Sequence, residues 1–507
     1  MEETKSAGFC KAGFYLHACW RYEYPFSVRA WALSDYDAMF RLLRGIGLDQ
    51  VMIWPMSEVA PPPLSDGDAQ HLEDFRHVVQ KAKNRELECW LTFCPNLSST
   101  EQIRSTPMRE RVFYPHMRKF RLDDSTQFDT YTGHLHGLLA CLNNADGYVF
   151  IDGDPGGYPG AKPVEFLRLL RAIREILDQV AAGPRPKIIP WVWCGWGADW
   201  ESEGVWKPDL RKLVRPFLLA LKADPPAEPW ELLPGRSIHE SHANGRINLE
   251  LTEEMGLVER STLMTYEIIE FEPTPPAFVI QFEDIRRVLR QEMRLAPMAR
   301  GIMGNAQQPI TALHNLFYFA RCVKNPVWLE KPDAQVLQAL ADFFGGDTHV
   351  LTAAWQIART NLDEISPDLS ERLRHSRLSS EWAECIPGGP QSYLGILADF
   401  VDARVGVLHC AALSPQTRTE AASGLSSATR GIIRWWLRHK YVFSGEKGAH
   451  FDWDYVHPVL LNPLREWVHR TRDVFDPGLL RDFTNEIAEQ CGMDVDAARA
   501  VVSRLIQ

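Results

Sequence analysis

Short apolar runs and longer helix-like stretches take turns along the first two thirds of the chain. The runs are rich in β-branched and aromatic residues, and they stop on polar or turn-forming ones. The first is Phe14-Tyr-Leu-His-Ala-Cys-Trp20, followed by Arg21. A helix fits Ser34 to Gly45, with Ser34 as its N-cap and Gly45 as its stop. Gln50 to Trp54 is the second strand, closed by Pro55, and a helix from Asp68 to Lys83 leads to the third, Leu87 to Phe93. The polar stretch from Ser98 to Tyr131 reads as an elaborated loop. A helix then leads to the fourth strand, Tyr148 to Ile151. An amphipathic helix, Pro163 to Ala181, precedes the fifth, Lys187 to Trp193. The sixth is read at Gly235 to Glu240 after a helix from Pro208 to Ala223, and the seventh at Ser261 to Glu267 before a helix from Phe278 to Arg294. Gly301 to Gly304 is the eighth, leading into a helix from Ile310 to Val323.

Strands that alternate with helices pair in parallel, and eight such units can close on themselves. Residues 1–326 are therefore expected to form a (β/α)8 TIM barrel of α/β class, with an open doubly wound sheet as the runner-up. No GxGxxG follows the first strand, which weakens a nucleotide-binding version of the open sheet. After Asn325-Pro326 the pattern changes to leucine- and alanine-rich amphipathic segments. Residues 327–507 are expected to be an α-helical C-terminal domain.

The fourth strand ends in unusual fashion. Ile151-Asp-Gly-Asp-Pro-Gly-Gly157 places two carboxylates, Asp152 and Asp154, at the end of an apolar run and then turns sharply. Barrel enzymes keep their chemistry at such strand ends. An Asp-Gly turn whose acids bond local backbone is the plain alternative. If the barrel closes, the other strand ends bring to the same face His17, Trp20 and Arg21, then Trp54, Asn96, Trp193 and Trp196. They add His239 and Glu240, then Tyr266, Glu267 and Glu270, and finally Asn305 and Gln307. Acids from three strands, an arginine, amides and indoles suit a sugar: indole faces cover the apolar ring face, and polar groups meet the hydroxyls.

Composition narrows this further. A net charge of −11 argues against a nucleic-acid or anionic-membrane partner. There is no apolar run long enough to span a membrane and no basic-then-apolar leader, so a cytoplasmic location is expected. The ten cysteines are scattered without a CxxC pair, as free thiols in a reducing compartment would be. The seventeen tryptophans are the outlier, and Trp20, Trp54, Trp191, Trp193 and Trp196 all fall near strand ends. Trp435, Trp436 and Trp453 read as core residues of the helical part. No cofactor motif is present. His134-x-His136 and His239-x-x-His242 lack metal-site spacing, and no GxSxG marks a nucleophile. The oligomeric state is left open, a homo-oligomer included.

The Asp152 segment resembles the Ser-Glu-Gly-Gln-Pro-Gly-Pro motif of the α-glucuronidase glycoside hydrolases. Leu263-Met-Thr-Tyr-Glu-Ile-Ile-Glu-Phe271 is similar to a later acidic strand of theirs. Gly301-Ile-Met-Gly304 with Asn315-Leu-Phe-Tyr-Phe-Ala-Arg321 and Asn325-Pro326 is similar to their last strand and helix. More broadly, barrel hexosaminidases carry paired acids at the end of strand four. The resemblance implies a hydrolase of glycosidic bonds in an oligo- or polysaccharide-derived substrate, a uronic acid or N-acetylhexosamine glycoside among the options. It implies Asp152 as general acid, one methylene shorter than the family's glutamate, with Asp154 tuning it or positioning substrate. Glu240 or Glu267 would be base or nucleophile, with Glu270 in reserve. The rival readings are a metal-dependent barrel lyase or isomerase on sugars, and a non-catalytic carbohydrate-binding barrel.

Overall fold

The apolar runs become strands because β-branched and aromatic side chains fill both faces of a sheet that is covered on each side. In the computed structural model, β1 (Ala12–Leu16), β2 (Gln50–Ile53) and β3 (Glu88–Phe93) precede a short antiparallel ribbon of β4 (Leu97–Ser99) and β5 (Met117–Lys119). They are followed by β6 (Gly147–Ile151), β7 (Lys187–Val192), β8 (Leu233–Ser237), β9 (Thr262–Tyr266) and β10 (Gly301–Ala306). The structure describes residues 8–18, 22–111, 116–153, 157–197, 209–228, 230–237, 246–270, 275–415, 417–439, 451–474 and 477–506. Eight strands close a parallel barrel in the order β1-β10-β9-β8-β7-β6-β3-β2, as expected.

Helices α1 (Leu33–Ile46), α2 (Asp66–Asn84), α3 (Ser125–Cys141), α4 (Pro163–Val180), α5 (Leu210–Ala223), α6 (Ile247–Glu254) and α7 (Phe282–Glu292) link the strands, and α8 (Leu313–Lys324) follows the last. Gly45 does not stop α1. Gly47 does, at φ +100°, while a Cβ on Gly45 would sit 2.3 Å from the Trp382 ring, so that glycine admits a tryptophan of the C-terminal region. The sixth strand begins two residues earlier than expected, because Pro234 lies inside it and reads as a breaker.

Beyond α8 the chain is helical: α9 (Asp333–Phe344), α10 (Thr348–Trp355), α11 (Leu369–His375), α12 (Pro390–Ala412), α13 (Arg418–His439), α14 (Pro458–Arg470), α15 (Pro477–Cys491) and α16 (Val495–Ile506). Trp435, Trp436 and Trp453 are buried there. The end of α13 packs on barrel loops: Trp435 Nε1 donates to Pro276 O at 3.1 Å, and Glu23 N donates to His439 O at 2.9 Å. No helix among the described residues is long and apolar enough to cross a membrane.

The barrel interior holds two contrasting layers. At the N-terminal end, Lys187 Nζ bridges Glu88 (2.7 Å) and Glu231 (2.7 Å). Gln50 Nε2 and Trp90 Nε1 donate to Glu88 at 3.1 and 2.8 Å, and Thr262 Oγ1 donates to Glu231 at 2.6 Å. Burial opposes the charge on Glu88, but the Lys187 ammonium and the bonds from Lys11, Lys187 and Trp90 outweigh it and pull the carboxyl down to about 2. At the C-terminal end the lining is aromatic.

Candidate active site

Strand parity decides what reaches the barrel mouth. Tyr15 on β1 and Trp191 on β7 are not neighbours in the sheet, yet their ring centroids lie 5.5 Å apart, so both point inward. Tyr15 pairs with Asn305, which is therefore inward as well. Gly304 faces out, since a Cβ there would meet Ile269 and Phe319. His17 lies 5.0 Å from Tyr15, 5.6 Å from Trp54 and 6.2 Å from Tyr266, ring to ring. Trp193 lies 4.9 Å from Tyr266 and 6.1 Å from Trp191. Five strand ends thus contribute Tyr15 and His17, Trp54, Trp191 and Trp193, Tyr266, and Asn305 to one aromatic mouth.

The same parity bears on Asp152. Ile151 pairs with inward Trp191, so Asp152 faces out, beside Tyr148 and Phe150. Its carboxylate closes on the turn after β7. Oδ1 accepts from Trp193 N (2.8 Å) and Cys194 N (2.9 Å), and Oδ2 accepts from Gly195 N (3.1 Å). Burial raises its carboxyl to about 6, against the pull of those three amides. These three bonds are those of the plain alternative, an acid bonded to backbone. Asp152 fixes the segment that carries Trp193, whose carbonyl also accepts from Asn248 Nδ2.

Two further assignments change for similar reasons. Asn96 is fully buried, and its amide is committed to Phe120 O (3.0 Å), Gly157 O (3.4 Å) and Gly157 N (2.7 Å). It ties the loops after β3 and β6 together and offers nothing to a substrate. Trp196 stacks on Phe166 at 4.8 Å and 8°, which places it in the shell behind the strands and away from the mouth. Trp20, Arg21, Asp154, His239 and Glu240 lie outside the described residues.

The turn after β9 is tightly specified. Glu267 has φ +65°, a conformation that strains any residue with a Cβ. Its N–H donates to Asn305 Oδ1 at 2.7 Å. Glu270 Oε2 accepts from Gln307 N (2.7 Å) and Gln308 N (2.8 Å), so Glu270 is a clasp between the turn and the end of β10. Asn315 Nδ2 donates to Ile269 O at 3.0 Å. The Gln281 amide, in the orientation its surroundings require, donates to Ile269 O and Ile268 O at 3.0 and 3.2 Å. Alternation alone would send Glu267 outward with Thr265. The left-handed residue breaks that alternation at the one strand end where an acid follows the inward Tyr266.

Four of the buried polar atoms without a partner lie at this mouth: His17 Nδ1, Trp191 Nε1, Asn305 Nδ2 and Gln307 Nε2. Such atoms are costly unless a ligand or water meets them. Burial lowers His17 to about 3, so its ring is neutral at physiological pH. Glu58, in the turn after β2, carries no recognisable motif but belongs here. It accepts from Trp54 Nε1 (2.9 Å) and Cys94 N (2.6 Å), and burial raises it to about 7 despite those bonds. Its only sequence signal is its place four residues beyond Trp54. Among the described residues, no group of His, Cys, Asp and Glu could hold a metal ion.

No protein-family model and no curated protein matches the chain. Among solved structures it is similar to a GH138 enzyme targeting pectin rhamnogalacturonan II. The identity is 8% and the TM-score 0.48, over 99% of this chain and 63% of that one. It is also similar to a Thermobaculum terrenum O-GlcNAc hydrolase, at 12% identity and TM-score 0.42, over 98% of this chain and 94% of that one. A family 20 glycoside hydrolase, a β-N-acetylglucosaminidase, matches at 10% identity and TM-score 0.37, over 63% of this chain and 69% of that one. All three are glycoside hydrolases, and none is named as an α-glucuronidase. At these identities the likeness is one of fold.

Proposed function

We propose that the protein is a carbohydrate-active hydrolase whose working end is the aromatic mouth, with Glu267 as base or nucleophile. The observation that carries this is Glu267 itself: a strained acid at the rim, held by a turn pinned from four side chains, next to buried N–H groups without partners. Indole and phenol faces would cover the sugar ring, and the unpartnered donors would meet its oxygens. Glycoside hydrolysis also needs a proton donor across the bond from Glu267. Asp152 is taken up by three backbone amides, so we assign the donor role to Asp154, with Glu240 as the alternative. A uronic acid and an N-acetylhexosamine both remain compatible with the donors.

The test is turnover on a panel of 4-nitrophenyl glycosides that includes glucuronides and N-acetylhexosaminides. Hydrolysis of at least one, lost in both Glu267→Gln and Asp154→Asn, is the expected result. Activity that survives in both variants would end the proposal. A second reading, a binding barrel without catalysis, is favoured by one observation: Asp152 and Glu270 are both spent on backbone amides. Saturable binding of a methyl glycoside with no turnover on the panel would establish it.

A further inference from the structure

We infer that Asn305 does two jobs at once: its Oδ1 holds Glu267 in its left-handed conformation, and its Nδ2 donates to the bound sugar. The first half stands on geometry alone. Asn305 is fully buried on the inward face of β10, and its Oδ1 accepts the Glu267 N–H at 2.7 Å. A residue at φ +65° persists only where its surroundings over-determine it. Here Glu270, Asn315 and Gln281 fix residues 268–270 and the β10 end. Asn305 alone among these four bonds the strained residue's own N–H. The second half rests on the hydrolase reading. Asn305 Nδ2 is buried, has no partner and lies on the inward face beside Tyr15. With Oδ1 committed to Glu267, the planar amide can rotate little, so Nδ2 keeps a fixed direction into the mouth. A sugar hydroxyl or carbonyl oxygen bonded there would sit at a set distance from Glu267. Asn305 is in that sense a positioning residue for both the acid and its substrate.

Two substitutions separate the jobs. Asn305→Asp keeps the acceptor and loses the donor, whereas Asn305→Ala loses both. Hydrogen–deuterium exchange of the segment 262–270, followed by mass spectrometry, reads the hold without any substrate. Exchange at Glu267 should stay slow in Asn305→Asp and quicken at least tenfold in Asn305→Ala. Unchanged protection in Asn305→Ala overturns the hold. If Asn305→Ala does not fold, the Glu267→Gly, Asn305→Ala double variant decides, because glycine takes φ +65° without strain. It should fold cooperatively, and a double variant that also fails to fold contradicts the hold. For the donor, KM is measured with the 4-nitrophenyl glycoside that the wild type turns over fastest, each variant at its own pH optimum. It should rise at least tenfold in Asn305→Asp with a smaller change in kcat, and an unchanged KM overturns the donor. If no glycoside in the panel is turned over, the hydrolase reading falls and the donor half with it. The exchange result then still decides the hold.

Discussion

The two ends of the barrel bury polar groups in opposite ways. At the N-terminal end, Glu88, Glu231, Lys187 and Thr262 satisfy one another, and Gln50 Oε1 is left over. At the C-terminal end, His17 Nδ1, Trp191 Nε1, Asn305 Nδ2 and Gln307 Nε2 are left without partners among aromatic rings. A closed network of charges stabilises and offers nothing to a ligand. An open set of three donors and an imidazole nitrogen costs stability and makes sense where something binds. Burial by itself does not separate the two ends. What separates them is whether each buried atom is answered from within the protein.

The sharpest way to break the comparison is Glu267→Gln. Turnover should fall roughly 10²–10⁴-fold, the range ascribed to acid–base groups, with the melting temperature nearly unchanged. Lys187→Met should do the reverse. It leaves Glu231, buried at 2% exposure, with Arg300 at 3.5 Å as its remaining cation, and should cost about 1–3 kcal/mol in urea unfolding, with kcat and KM of the folded protein intact. Loss of activity without loss of stability in Lys187→Met would erase the distinction.

The pH dependence should have opposite signs at the two ends. Glu58 is raised to about 7 in the fold from an ordinary 4.5, so its contribution is full below pH 4.5 and is lost as pH rises through 7. Glu58→Gln should therefore gain on the wild type across that window, by on the order of 3 kcal/mol at most. Glu88 is lowered to about 2, so its contribution is present above pH 4.5 and is lost as pH falls through 2. Glu88→Gln should lose ground to the wild type as pH rises from 2 to 4.5. Denaturant midpoints taken from pH 2 to 8 check both slopes, and slopes of the same sign would refute the assignment.

The smallest effect separates Asp152 from the catalytic acids. Asp152→Asn turns an amide N–H₂ toward the Gly195 N–H and should cost about 1–3 kcal/mol. Its turnover should fall much less than that of Glu267→Gln. A loss equal to that of Glu267→Gln, in a variant that stays folded, would return Asp152 to the proton-donor role.

Much of the barrel is legible as strand runs between helix-like stretches, because buried parallel strands concentrate aliphatic and aromatic residues. Where the reading slides, as at β8, a proline inside the strand is the cause. The site is legible only in part. The acids at the ends of β6 and β9 stand out, but their roles turn on parity. The inward Trp191 sets Ile151 inward and Asp152 outward, and that register belongs to the closed barrel, beyond the reach of either segment alone. The left-handed turn at Glu267 is hidden for the same reason. It is imposed by Glu270 within the turn together with Gln281, Asn305 and Asn315 from later segments, which the turn's own sequence does not show. Trp196 shows the opposite error, a tryptophan near a strand end that fills the shell against Phe166. Glu58 escapes notice because a buried carboxyl in a short turn looks, in sequence, like an exposed one.

Chemical rescue of Glu267→Gly tests the central claim most directly. Glycine relaxes φ +65° and so keeps the turn, while the carboxylate is removed. Turnover of the active 4-nitrophenyl glycoside should collapse and then recover at least tenfold in sodium azide or formate, which restores a small anion where the side chain stood. Wild-type turnover in Glu267→Gly without added anion would contradict a catalytic Glu267.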